Sequence, residues 1–164
     1  MISEKMQKAL NDQIREELES AYIYLAMAAY FQAEGLDGMA GWMKAQSQEE
    51  VSHAMKFFGH IDDRQGRVTL QALKEPPAEW GSPLEAFQAA YKHEQHISGC
   101  IDKLVKLAEA EGDRAAYAML QWFVSEQVEE EANAAKIVDR LERVGTSGNG
   151  LIMLDHKLGE RQAD

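Results

Sequence analysis

Apolar residues recur at steps of three and four over four long stretches of the chain, and this is the period of an amphipathic helix. Glycines break the pattern at Glu34-Gly35, Glu111-Gly112 and Val144-Gly145, and the segment 67–82 with Pro76-Pro77 is the only prolonged irregular stretch. The pattern therefore predicts four long helices, at about 3–34, 37–65, 83–111 and 114–144.

The predicted helices begin at residues that commonly cap a helix N-terminus. Ser3, Ser82 and Asp113 each offer a side-chain oxygen to the unpaired N–H groups of a first turn, and Pro83 suits the first helical position. Beyond the break at 146–150, a short amphipathic fifth helix is predicted at about 150–160, from the spacing of Leu151, Leu154 and Leu158.

The lengths of the connections predict how the helices are arranged. Short links join the first helix to the second and the third to the fourth, which makes each pair antiparallel. The sixteen-residue segment 67–82 is long enough to cross the bundle, whose helices of about 30 residues span roughly 45 Å. We expect an all-α fold, a four-helix bundle with one long crossover loop and a short C-terminal fifth helix. It forms a single domain over 1–164, with the bundle at about 3–145.

Composition and charge narrow the class of protein. The 45% apolar content suits a globular chain, and the formal net charge of −11 argues against nucleic acid, because phosphate contacts need a basic surface. The same charge can attract cations or only keep the protein dispersed. No run approaches the ~18 apolar residues of a membrane helix, and the polar start Met1–Lys5 lacks a signal-peptide core. Cys100 is the single cysteine, so internal disulfides are excluded and a cytoplasmic location is expected.

Each predicted core-facing stripe carries a carboxylate near its middle. These are Glu17, Glu50, Glu94 and Glu130. On the third helix the stripe is predicted as Leu84, Phe87, Tyr91, Glu94, Ser98, Ile101 and Val105. Four carboxylates facing one core cannot stay ionised without cations, because each buried charge costs several kcal/mol and the charges repel one another. Either the carboxyls are protonated and hydrogen-bonded, or they hold metal.

The metal alternative is favoured by charge and by a neighbouring histidine. Two divalent ions would balance the four carboxylates, and His53 lies one turn from Glu50 on the same helix face. Mixed carboxylate and imidazole ligands suit iron or manganese and, less exclusively, zinc.

The two halves of the chain repeat this pattern. In each half, the lone glutamate lies 33 positions before the first residue of the following x-x motif, which is Glu50-x-x-His53 in the first half and Gln127-x-x-Glu130 in the second. A shift of 77 positions relates Glu17 to Glu94, Glu49 to Glu126, Glu50 to Gln127 and His53 to Glu130. Because the second Glu-x-x-His is altered to Gln-x-x-Glu, two unequal metal positions are predicted. Glu17, Glu50 and His53 form the tighter one and Glu50, Glu94 and Glu130 the weaker, with Glu50 bridging.

Two segments carry a resemblance to a known family. Glu49-Glu50-Val51-Ser52-His53-Ala54-Met55-Lys56 and the stretch from Trp122 to Glu131 resemble the two ferroxidase segments of prokaryotic non-haem ferritins. The resemblance implies a paired iron site made of Glu17, Glu50, His53, Glu94, Gln127 and Glu130. It also implies a third, nearby iron site made of Glu49, Glu126 and Glu129. Tyr24 matches the tyrosine that lies beside the iron centre in this family. Either it acts in catalysis together with Glu17, Glu50, His53, Glu94 and Glu130, or it is an ordinary core tyrosine.

The resemblance implies iron storage. Such proteins oxidise Fe(II) to Fe(III) with O₂ or H₂O₂ and hold the ferric mineral in a hollow homo-oligomer, here expected to have twenty-four subunits with the fifth helix at the fourfold axis. Bacterioferritins differ from this chain, since they keep a second Glu-x-x-His and a haem-ligating methionine. Here these positions read Gln127-x-x-Glu130 and Ser52, so no haem is expected.

Two alternatives stay open at this point. A di-iron oxidase that turns over without storing metal would favour two equivalent Glu-x-x-His motifs, and a purely structural bundle would carry protonated glutamates. Several further residues are given ordinary roles: Trp122 is expected in the core, Cys100 as a small buried hydrophobe, and His60, His93, His96 and His156 on the surface.

Overall fold

The computed structural model describes residues 1–161 and contains five helices in that range. They are α1 (Glu4–Ala33), α2 (Asp37–Asp63), α3 (Pro83–Glu111), α4 (Arg114–Val144) and α5 (Gly148–Leu158). The four long helices agree with the predicted ones to within two residues. The short helix α5 begins and ends about two residues earlier than predicted, because Ser147 accepts a hydrogen bond from the N–H of Gly150 and starts the helix there.

Three helices begin at the predicted caps. Ser3 accepts from the N–H of Met6, Ser82 from that of Glu85, and Asp113 from that of Ala116. The helix α2 has no such residue, since its N-cap is Leu36. Instead the carboxylate of Asp155 on α5 accepts from the N–H groups of Gly38 at 3.2 Å and Met39 at 2.7 Å. The beginning of α2 therefore depends on the docking of α5.

The crossover between α2 and α3 follows the surface of α1. Asn11 on α1 donates to the carbonyl of Arg67 at 3.0 Å and accepts from the N–H of Thr69 at 2.7 Å. Gln7 accepts from the N–H of Arg67 at 2.8 Å. These contacts satisfy backbone groups of an extended segment that has no ladder partners of its own. Among the described residues no helix has the length and apolar character needed to cross a membrane.

Two apolar clusters fill the interior, and a polar layer separates them. One lies toward α5 and includes Phe31, Met43 and Phe87. The other lies toward the opposite end and includes Phe57 and Phe123, whose rings stack with centroids 4.1 Å apart. Between them lie the buried polar side chains that the carboxylate pattern predicted.

The face that α3 buries differs from the predicted one by one step at several positions. It is formed by Ala86, Phe87, Ala90, Glu94, Ile97, Ile101, Leu104 and Ala108. Tyr91, Ser98 and Val105 lie at its edge and are only half-buried. A helix with 3.6 residues per turn allows steps of three or four, so the pattern fixes the face only to within a residue on either side. Phe87, Glu94 and Ile101 belong to both the predicted and the observed face.

Candidate metal centre

The four predicted carboxylates are all buried in the polar layer. Glu17 is 0% exposed, Glu50 2%, Glu94 2% and Glu130 5%, and His53 joins them at 4%. Each comes from the middle of a different long helix, α1 to α4, with His53 one turn beyond Glu50 on α2. The bundle therefore concentrates acidic oxygens at a depth where water cannot solvate them.

The imidazole of His53 lies between two groups of metal-ligand atoms. Its Nδ1 is 3.3 Å from Oε2 of Glu50 and 3.9 Å from Oε2 of Glu17. Its Nε2 is 4.0 Å from Oε1 of Glu126. Ligand atoms of Glu17, Glu50 and His53 all lie within 4.8 Å of one another, as do those of His53, Glu126 and Glu130. The first group consists of the same three residues that the sequence predicts for the tighter metal position.

Glu94 is held by neutral hydrogen-bond donors. The hydroxyl of Tyr24 donates to its Oε1, and the amide of Gln127 donates to its Oε2 at 3.2 Å. Gln127 also donates to the backbone carbonyl of Glu94 at 3.2 Å and so fixes α4 against α3 at this level. Both oxygens of Glu94 are thus oriented before any ion binds.

Two glutamines for which the sequence predicts no role also donate hydrogen bonds to the buried carboxylates. Gln13 donates to Oε1 of Glu17 at 2.8 Å. Gln46, 0% exposed, donates to Oε1 of Glu50 at 3.1 Å and to Oε2 of Glu130 at 2.8 Å. Each glutamine precedes its glutamate by four residues on the same helix, a spacing that places them on one face and could have identified them.

Arg161 also supports the centre, from beyond the end of α5. It donates to Oε1 of Gln46 at 2.8 Å and to Oε2 of Glu49 at 2.5 Å, and its guanidinium lies 4.4 Å from the ring centroid of Trp42. Nothing in the sequence pattern singles out Arg161, because its partners are more than 100 positions away.

Burial disfavours ionisation of these carboxyl groups when no metal is bound, and their pKa values are raised. The pKa of Glu94 and that of Glu130 are each raised to about 8, first by burial and then by the charges of neighbouring glutamates. The pKa of Glu17 lies well above its usual range, first through burial and then through the charge of Glu50. Burial lowers the pKa of His53, but its hydrogen bond to Glu50 and the surrounding carboxylates outweigh that effect and raise the pKa overall.

One carboxylate oxygen of the cluster has no hydrogen-bond partner among residues 1–161. It is Oε2 of Glu17, which is fully buried. An unpartnered buried acceptor costs about 1–3 kcal/mol, so such groups require an explanation. A cation in contact with this oxygen, with Glu50 and with His53 would supply the missing interaction.

The residues expected at a third iron site are less closely grouped. Glu126 is half-buried and approaches His53 and Glu130, whereas Glu49 is half-buried and paired with Arg161. Glu129 is exposed and belongs to none of the ligand groups found among residues 1–161. The structure therefore brings only one of these three glutamates into such a group.

Four further expectations about burial were wrong, and two of them concern His60 and Cys100, which are half-buried rather than exposed and buried, respectively. Trp122 is 40% exposed rather than in the core. Its ring packs edge-on against His53, and the ammonium of Lys56 lies over the ring, 4.2 Å from its centroid.

His93 is half-buried rather than on the surface, and its Nε2 lies 2.7 Å from the hydroxyl of Ser20. Trp122 contacts His53 and His93 contacts Tyr24, so both side chains adjoin residues of the centre, which periodicity does not reveal.

Comparisons with known proteins agree with this geometry. A sequence profile described as a ferritin-like domain matches residues 7–144. The chain belongs to the ferritin family. A bacterial non-heme ferritin of Bacteroides fragilis (strain 638R) is 46% identical over 161 residues, 98% of this chain and 100% of that protein. A bacterial non-heme ferritin of Campylobacter jejuni is 37% identical over 155 residues, 94% of this chain and 93% of that one.

Solved ferritin structures have the same fold. An open pore ferritin from the archaeon Archaeoglobus fulgidus superposes with a TM-score of 0.98 at 51% identity, over 99% of this chain and 100% of that one. The predicted fold class, a four-helix bundle with one crossover and a short fifth helix, is confirmed.

Proposed function

We propose that this chain is the subunit of an iron-storage ferritin that oxidises Fe(II) within the bundle and deposits ferric mineral in a hollow homo-oligomer. The observation that carries the proposal is the layer of four buried carboxylates and one imidazole, one carboxylate from each long helix. Membership of the ferritin family supports storage, and the acidic layer supports iron binding inside the subunit.

Iron is the substrate of this centre, and the ligands suit it. One Fe(II) would bind Glu17, Glu50 and His53, and the other Glu50, Glu94 and Glu130, with Gln127 beside it and Glu50 between them. The four carboxylates neutralise two divalent ions, which removes the repulsion that otherwise keeps protons in the cluster. Carboxylate and imidazole ligands suit both oxidation states of iron.

The reaction transfers two electrons. Each Fe(II) gives one electron, and O₂ takes both electrons with two protons to give H₂O₂. With H₂O₂ as the oxidant, the two electrons break the O–O bond, and two protons from solvent complete two waters. A pair of irons therefore supplies both electrons together, and no one-electron oxygen radical needs to leave. The chain's own part is to hold both ions in a dry layer at fixed separation.

The two positions would release iron unequally. The first has an imidazole and the unpartnered oxygen of Glu17, whereas both oxygens of Glu94 already accept hydrogen bonds from Tyr24 and Gln127. The second position also has no imidazole ligand, so Fe(III) formed there would leave more readily toward the mineral. Glu126 would take it first; the third iron site of Glu49, Glu126 and Glu129 remains a proposal.

A shell requires surfaces for other copies of the chain. Large apolar side chains are exposed on the outer faces of the helices, including Tyr22, Leu25, Met55, Ile152 and Met153 at 46–74%. Such side chains on a monomer commonly mark an interface. Two lie on α5, which supports a contact at the fourfold axis of a twenty-four-subunit shell. A cytoplasmic location and the absence of haem stay predictions of the sequence.

Aerobic Fe(II) loading followed by size-exclusion chromatography tests the proposal. Iron far above the few ions that each chain can ligate, eluting with a very large assembly, is the expected result. Glu50→Gln keeps the size of the side chain and removes the bridging charge, so initial oxidation should slow at least about tenfold. Exposed Glu142 on α4 provides the matched control, and Glu142→Gln should oxidise iron at the unsubstituted rate.

Two results would contradict the proposed storage function or the proposed location of Fe(II) oxidation. Loading that stops at two or three ions per chain, or a small assembly, would favour a di-iron oxidase. Equal oxidation rates for Glu50→Gln and Glu142→Gln would place the oxidation elsewhere.

A further inference from the structure

A second group of metal-ligand atoms lies between α1 and α3, outside the buried carboxylate layer. It consists of a carboxylate oxygen of Glu16, an imidazole nitrogen of His96 and the thiol of Cys100, all within 4.8 Å of one another. Glu16 and Cys100 are half-buried and His96 is exposed, so solvent can reach the group. Proposed iron oxidation uses none of the three.

The ligand atoms of Glu16 and Cys100 both lie close to the same imidazole nitrogen of His96. Nε2 of His96 is 2.9 Å from Oε2 of Glu16 and 3.6 Å from Sγ of Cys100. In a tetrahedral site with metal–nitrogen and metal–sulfur bonds of about 2.0–2.3 Å, adjacent ligand atoms are about 3.3–3.6 Å apart. The sulfur–nitrogen separation is already of that size, and the oxygen–nitrogen pair would open by a few tenths of an ångström.

Neighbouring groups orient these side chains. The guanidinium of Arg15 donates to Oε1 of Glu16 at 2.6 Å and leaves Oε2 directed at His96. His96 and Cys100 are four residues apart on α3 and share a face. Lys103 lines the same groove, and its positive charge, together with that of Arg15, opposes the binding of a metal ion near the thiol.

The group is separate from the ferroxidase layer. Glu16 and Glu17 are consecutive on α1, so their side chains point about 100° apart, one outward and one into the core. The ring of His93 lies between the two sites, with its centroid 6.0 Å from that of His96 and 6.2 Å from that of Tyr24.

We propose that Glu16, His96 and Cys100 form a second metal site, which binds a borderline divalent cation of the Zn²⁺ or Co²⁺ type with water completing the tetrahedron. Thiolate and imidazole ligands select such ions over Ca²⁺ or Mg²⁺, and one thiolate with one carboxylate neutralises a charge of two. Burial and the nearby Glu16 raise the pKa of the Cys100 thiol, so binding would release its proton to solvent.

The single cysteine makes the site directly observable. Co²⁺ is the probe, because a Co²⁺–thiolate bond gives a charge-transfer absorption in the near ultraviolet. The ferroxidase layer also binds divalent ions, but it has no sulfur, so any such absorption arises at Cys100. Titration of the assembled, metal-free protein should show the band saturating at an intensity of about one Co²⁺–thiolate bond per chain, whatever share of the added Co²⁺ the carboxylate layer takes up.

Substitutions distinguish a metal site made of all three ligands from binding by the thiol of Cys100 alone. Cys100→Ser should abolish the band, and His96→Ala and Glu16→Gln should each weaken Co²⁺ binding at least tenfold, since even outer partners of a ligand are worth about that factor. His156→Ala removes an exposed histidine of α5 and should leave the titration unchanged. Cys100→Ser should retain the Fe(II) oxidation rate, which shows that it folds.

The proposal is overturned if no band appears at any Co²⁺ concentration. It is equally overturned if a band appears with the same affinity in His96→Ala and Glu16→Gln, because the ion would then be held by the thiol alone. Loss of iron oxidation in Glu50→Gln with an intact cobalt band would separate this site from the ferroxidase proposal.

Discussion

The hydroxyl of Tyr24 donates to Oε1 of Glu94, and its side chain is 1% exposed. A phenylalanine would fill the same space and leave that oxygen without its donor. We expect Tyr24→Phe to fold normally and to bind the second Fe(II) about tenfold more weakly. Anaerobic Fe(II) titration by calorimetry measures this directly, and an unchanged second binding step would reduce Tyr24 to a core residue.

The titration of Glu94 and Glu130 predicts how the metal-free protein responds to pH. Their pKa values are about 8 in the folded state, through burial and then neighbouring glutamates, against about 4.3 for an unfolded glutamate. The folded state therefore holds these protons more tightly. Their stabilising contribution is complete below the unfolded pKa and is lost as the pH rises through about 8.

Urea denaturation with a chelator present measures this effect. The free energy of unfolding should decrease between about pH 6.5 and pH 8.5. The decrease should be smaller in Glu130→Gln, which cannot ionise, than in Glu142→Gln, which alters an exposed glutamate. A stability that rises over this interval would mean that the cluster is already ionised without metal.

At the scale of the helices, the start of α2 shows what local sequence could not predict. Ser3, Ser82 and Asp113 cap their own helices, and they can be predicted because each directly precedes the helix that it caps. The cap of α2 is Asp155, 116 and 117 positions away along the chain. A β-carbon at Gly38 would lie 1.8 Å from the backbone oxygen of Asp155, so only glycine permits this close approach.

The Asp155 contact predicts a specific loss of stability. Asp155→Ala removes both hydrogen bonds to the start of α2 and should lower the free energy of unfolding by about 1–2 kcal/mol. The adjacent substitution His156→Ala, which alters an exposed side chain, is the control. Differential hydrogen exchange should locate the change at residues 37–41 and in α5. A uniform change, or none, would mean that α5 does not hold α2.

The same distinction governs the candidate centre. Glu17, Glu50, His53, Glu94 and Glu130 could be predicted because each interrupts an apolar stripe at a matching depth, and the internal repeat related the halves. The orientation of their neighbours could not. Arg161 reaches Gln46 and Glu49 through tertiary packing, and Trp122 flanks His53 while 40% exposed, which no helical period indicates.

At the scale of the whole molecule, the proposed shell predicts that α5 contacts other copies of the chain. Ile152 and Met153 are 66% and 74% exposed on this helix, and a shell would bury them against other copies. Ile152→Glu with Met153→Glu should place repelling charges in that contact and yield smaller assemblies. Light scattering should report the lower mass, and initial Fe(II) oxidation should stay near the unsubstituted rate while stored iron falls to a few ions per chain. An intact assembly with full loading would exclude α5 from the interface.

The most direct test of the central claim is diffraction at the iron absorption edge, from crystals soaked anaerobically in Fe(II). Two anomalous peaks are expected inside each bundle, one in contact with Glu17, Glu50 and His53 and the other with Glu50, Glu94 and Glu130. In Glu50→Gln crystals both peaks should weaken. Crystals that bind iron only on the surface, with no peak among the buried carboxylates, would contradict the account.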